Sequence, residues 1–116
     1  MSDLVSIDRE LTRLCEALNL LVDEFEGLCR TAADSRTTYD IEWAKALLGA
    51  DEGTQKIKEA EATLVCKNYM TEARIAEAIR DAAKERIRAI ESMLTVHQSR
   101  LRFMDETVSD GFRRTR

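Results

Sequence analysis

Nine apolar residues spaced alternately three and four apart dominate the start of this chain: Leu4, Ile7, Leu11, Leu14, Leu18, Leu21, Phe25, Leu28 and Ala32. The mean spacing of 3.5 is the heptad repeat. It holds one stripe of a helix against a partner helix and winds the pair left-handed. A strand would need alternation by two, which this run lacks. Asp8, Arg9, Glu10, Arg13, Glu16, Asp23 and Glu24 fall between the seam positions and form the wet face. Cys15, Val22 and Cys29 run beside the seam and widen it, and a wide stripe suits packing against more than one neighbour.

The seam weakens at "TAADSRTT", residues 31–38. Two readings stay open there. Thr37 with Asp40 resembles a capping box, which would end a first helix of about 4–33 and start a short one over about 38–48. The stretch also contains no glycine or proline, so one helix can run straight through. Tyr39, Trp43, Ala46 and Leu47 give the later piece its apolar stripe. The segment "WAKALLGADEGTQ" then reads as a turn over 49–54. Gly49 suits the left-handed position after a helix, Thr54 suits the N-cap of the next, and Asp51 and Glu52 lie near that helix's positive end.

A second tract runs from Gln55 to about Val108 without glycine or proline. It is alanine-rich at first, and small residues let helices approach closely. It ends in another seam: Ala83, Ile87, Ile90, Leu94, His97, Leu101, Met104 and Val108. Ser109, Asp110 and Gly111 are expected to stop it, leaving residues 109–116 as a frayed tail. The expected fold is all-α: one domain over 1–116, an antiparallel helical hairpin or coiled coil of two long helices. A bare hairpin would leave part of each stripe exposed, so dimerisation into a helical bundle is expected. The seam assigned to oligomer or partner contacts comprises Ile7, Leu11, Leu14, Leu18, Leu21, Phe25, Leu28, Ile87, Ile90, Leu94 and Leu101.

The composition fits such a seam better than a ball-like core. Aromatic residues make up 5% of the 116 residues, charged residues 34%, and there is no proline. No apolar run is long enough to span a membrane, and the N-terminus has no basic segment followed by an apolar one. Cys15, Cys29 and Cys66 cannot all pair within one chain and lack C-x-x-C spacing, which points to reduced thiols, a cytoplasmic setting and no zinc. Their expected role is that of small buried hydrophobes.

No motif here carries catalysis. His97, the single histidine, falls on a seam position and reads as a polar register-setter. Ser92 and Ser99 have no elbow glycines, and position 94, three before His97, is leucine, so no Glu-x-x-His metal pattern exists. The carboxylates sit in helix-surface spacings with bases, such as Glu77 with Arg80 and Asp81 with Lys84. The expectation is a non-enzyme with no cofactor and no metal.

Charge is unevenly placed. Residues 1–50 carry five basic and ten acidic residues, a net of −5; residues 84–116 carry eight basic and five acidic, a net of +3. Arg100, Arg102, Arg113, Arg114 and Arg116 are therefore the candidate nucleic-acid contacts, with weak, salt-sensitive affinity expected from so few unpaired charges.

Two stretches, "YDIEWAKALLGADEGTQKIKEAEA" (39–62) and "IRAIESMLTVHQSRLRFMDE" (87–106), resemble small helical coiled-coil proteins of phages infecting Gram-positive and actinobacterial hosts. Genes for such proteins often lie among those for DNA replication and recombination. The resemblance implies that setting and assigns no active residue. The expected function is an accessory or adaptor in phage DNA replication or recombination, pairing with itself and with another phage or host protein. Two alternatives stand beside it: a phage inhibitor of a host protein, and direct DNA binding through the basic C-terminal end.

Overall fold

In a computed structural model the backbone is described from Ser2 to Arg114 and side chains from Leu4 to Asp105. The described residues form three helices and no strand: α1 (Ser2–Gly49), α2 (Gln55–Val65) and α3 (Lys67–Arg114). The fold is all-α. It divides into two compact units. Unit 1 joins 1–23 to 84–116, and unit 2 spans 24–83.

α1 runs unbroken through 31–38, so the helices expected over about 4–33 and 38–48 are one. The repeat explains this. Beyond Ala32 the same spacing falls on Ser35, Tyr39, Glu42 and Ala46, all buried or half-buried. Two of these are polar, which hides the stripe from a hydrophobicity count without breaking its period. The Thr37–Asp40 capping box is correspondingly not used. Thr31 Oγ1 instead donates to Gly27 O at 3.0 Å, and Thr12, Thr63, Thr71 and Thr95 make the same bond one turn back. A hydroxyl satisfied in this way is accommodated inside a helix at a small cost in helix stability.

The turn differs from expectation in one glycine. Gly49 is the last residue of α1 and does not adopt positive φ; Gly53 does, at 108°. Thr54 is the N-cap of α2 as expected, its hydroxyl accepting from Ile57 N at 3.4 Å. A Cβ on Gly53 would lie 2.9 Å from Ile57 Cγ2, whereas one on Gly27, within α1, would meet nothing within 4 Å. Opposite outcomes follow for the same substitution. Gly53→Ala is expected to cost about 1–2 kcal/mol, and Gly27→Ala to add about 0.5–1 kcal/mol by reducing unfolded-state entropy. Urea unfolding followed by helical circular dichroism measures both, and equal effects would refute the assignment.

The second tract is not continuous: Cys66 separates α2 from α3. Its φ of −95° and ψ of 14° depart from helix geometry, yet Cys66 N still reaches Ala62 O and Met70 N reaches Cys66 O, each at 3.0 Å. The ladder therefore carries across a one-residue irregularity. Cys66 and Ala62 are each 1% exposed, and the irregularity falls where α2 and α3 pass through this tightly buried point. At the other end α3 continues through Ser109, Asp110 and Gly111 to Arg114, so the expected stop near 108 and the frayed tail are corrected as far as that residue. One glycine costs a helix about 1 kcal/mol, too little to end a long one. Thr115 and Arg116 lie outside the described residues.

Candidate interaction surface

In unit 1 the seam is closed by Ile7 and Leu14 on α1 and Leu94 on α3, each less than a tenth exposed. Leu11, Leu18, Leu21, Ile87, Ile90 and Leu101 are half-buried beside them, as are His97 and Met104. In unit 2 Phe25 and Leu28 are half-buried, and the fully buried positions are small: Ala32, Ala62, Cys66, Ala73 and Ala83. Each of the eleven residues assigned to the seam is therefore wholly or partly buried within the chain itself. The side chain of Val108 lies outside the described ones.

Unit 2 carries a polar cluster across its helices. Arg36 on α1 donates through Nη2 to Glu77 Oε1 on α3 at 2.5 Å, reaches Met70 Sδ at 3.8 Å, and lies 5.7 Å from the centre of the Tyr39 ring. Trp43 Nε1 donates to Thr63 Oγ1 at 3.3 Å, and that hydroxyl donates to Glu59 O at 2.9 Å. The surface pairs expected within α3 are thus rearranged: Glu77 serves Arg36, and Arg80 serves Asp81 at 3.0 Å. The Asp81 carboxylate beside it raises the Arg80 pKa above its ordinary value. Arg36 and Glu77 are 40% and 29% exposed, so solvent screens the pair. A double-mutant cycle with Arg36→Ala and Glu77→Ala is expected to give a coupling of about 0.5–1 kcal/mol; coupling above about 3 kcal/mol would mean a desolvated pair.

The region around His97 has less chemistry than its lone imidazole suggests. Ser6, Ile7, Glu10, His97 and Arg100 border one hollow of unit 1, and His97 Nδ1 is buried without a hydrogen-bond partner among the described residues. Glu10 is ion-paired to Arg13, whose guanidinium holds the carboxyl below the usual range, chiefly by hydrogen bonding, with further attraction from Arg13 and His97. Among the described residues no serine or cysteine makes a hydrogen bond to the imidazole. Among the described residues no three His, Cys, Asp or Glu side chains gather as a metal site, and no helix is long and apolar enough to cross a membrane.

Of the cysteines expected to be buried, Cys66 is and Cys15 is not. Cys66 is buried, Cys29 half-buried and Cys15 exposed, all as thiols. Cys15 lies beside the seam and not on it, so the stripe it was expected to widen is open to solvent. Of the candidate nucleic-acid contacts, Arg100 and Arg102 are exposed, and each has an acid nearby: Glu10 at the hollow of Arg100, Asp105 at that of Arg102. The side chains of Arg113 and Arg114 and all of Arg116 lie outside the described ones.

A surface that the apolar seam does not reveal lies on α3, beside that seam. In unit 1, Arg86, Ala89, Met93, Val96 and Arg100 repeat the three–four spacing and are all exposed, Met93 at 46% and Val96 at 56%. In unit 2, Ile75, Ile79 and Ala82 hold the corresponding positions and are exposed too. The signal was present in the sequence as a second heptad register, masked by two arginines within it. Among known proteins the chain matches no family model, no curated sequence and no solved structure.

Proposed function

We propose that this chain is a non-enzymatic helical interaction module that pairs with itself and acts as an adaptor. The observation that carries this reading is the second apolar register, with Ile75 and Ile79 in one unit and Met93 and Val96 in the other, on a helix whose first register is already used. A helix with two apolar stripes is suited to packing against more than one partner.

The proposed architecture is an antiparallel hairpin. In unit 1, Leu4 shares a hollow with Leu101, and Glu10 shares one with His97. In unit 2, Arg36 meets Glu77 and Trp43 meets Thr63. Within each unit a later residue on α1 faces an earlier one downstream, which is the order an antiparallel pairing requires. The proposed setting is phage DNA replication or recombination in a host cytoplasm, which rests on the resemblance of residues 39–62 and 87–106. Inhibition of a host protein and direct DNA binding through Arg100 and Arg102 are competing readings. The acids beside both arginines weigh against the latter.

Sedimentation equilibrium of the full chain tests the self-pairing. The expected mass at tens of micromolar is twice the 13.2 kDa of the chain; a single-chain mass across the concentration range would refute self-pairing.

A further inference from the structure

We infer that a second copy of this chain docks on the exposed stripe of unit 1 formed by Ala89, Met93 and Val96 between Arg86 and Arg100, with α3 of one copy lying over α1 of the other. This deepens the self-pairing proposed above and rests on it.

Two observations select the occupant. The first is period. The stripe keeps the three–four spacing of a heptad seam, and a helix with that same repeat is the surface that fills it, which this chain itself supplies. The second is charge. Residues 84–116 carry a net of +3, whereas residues 1–23 carry two basic and five acidic residues, a net of −3. Laying α3 on α3 would oppose like charges, and laying α3 on the partner copy's α1 pairs opposite ones. The α1 arm offers Leu20, 67% exposed, as an apolar contact, and Glu16, exposed, and Glu10, half-buried, as acids. The positions of α3 on the other side of its seam, Arg88, Glu91, Thr95, Gln98 and Arg102, are all polar, so the apolar stripe lies on one side of α3 only.

The test uses the full chain with sedimentation equilibrium as the readout and circular dichroism to confirm folding. Met93→Glu with Val96→Glu is expected to weaken self-association at least about 100-fold, while Val22→Glu, beside the seam of α1, leaves it within a few fold. Arg86→Glu with Arg100→Glu, and separately Glu10→Arg with Glu16→Arg, should each self-associate poorly and form a heterodimer on mixing. These variants alter exposed or half-exposed groups and keep the test alive if the first pair unfolds the helix. A monomeric wild-type chain would overturn the self-pairing itself. A dimeric wild type unaffected by Met93→Glu with Val96→Glu would overturn this surface and leave self-pairing standing. Charge variants that do not complement on mixing would overturn the crossed arrangement.

Discussion

Leu14→Asp is expected to destabilise unit 1 by about 4 kcal/mol or more, enough to unfold it near room temperature if stability lies at the low end of the usual range. Leu14 is 4% exposed, as is Ile7 two turns earlier, and Leu94 on α3 is 8% exposed. The aspartate loses the transfer free energy of a buried leucine. It also places a carboxylate where no described cation pairs with Leu14's position: Arg13 is already held by Glu10, on another face of the helix. Leu14→Ala should cost about 2–4 kcal/mol, the part due to lost burial and the cavity left behind. Val22→Asp, at a position 49% exposed, is the control and should stay within about 1 kcal/mol. Urea midpoints followed by helical circular dichroism measure all three. Equal effects of Leu14→Asp and Val22→Asp would mean that Leu14 is not part of a core.

Ala73→Leu is expected to cost about 1–3 kcal/mol in unit 2, by the opposite mechanism. Ala73 is 0% exposed, and the other fully buried positions of the unit, Ala32, Ala62, Cys66 and Ala83, are all small. Helices packed through such residues leave no room for an isobutyl group. The backbones must separate or the side chain must leave its preferred rotamer. Ala78→Leu on the same helix faces solvent and should be near neutral, since leucine is a good helix former. If Ala73→Leu stabilised the protein, the seam of unit 2 would have to be loosely packed. Together the two substitutions separate a seam of large side chains in unit 1 from one of small side chains in unit 2.

That contrast was legible in the sequence, because both rest on period. The leucine run from Leu4 to Leu28 and the late seam from Ala83 to Met104 can be located by counting threes and fours, and the alanines of the middle stretch announce close approach. What was not legible depends on partners distant in the chain or on polar residues in apolar positions. Ser35 and Glu42 occupy seam positions of α1, so the stripe fades to the eye while the helix continues. Gly49 looks like the helix terminator because it follows the last leucine. The strained conformation falls instead on Gly53, set by the Thr54 cap and the side chain of Ile57. No residue type at Cys66 predicts an interruption, and its backbone departs from helix geometry at a residue almost wholly buried. Arg36 and Glu77 are 41 residues apart, so no local spacing reveals them. Each flanks its own seam, so the seam spacing marks neither as the other's partner.

The measurement that bears most directly on the adaptor reading is capture of partners by the full-length chain from host and phage-infected lysates. It is run at low and moderate salt, with nuclease treatment in parallel. The expected result is a protein partner recovered in fixed proportion to the chain, retained after nuclease and at moderate salt. Recovery of nucleic acid alone, lost with nuclease or with salt, would contradict it and move the function to the arginines of α3.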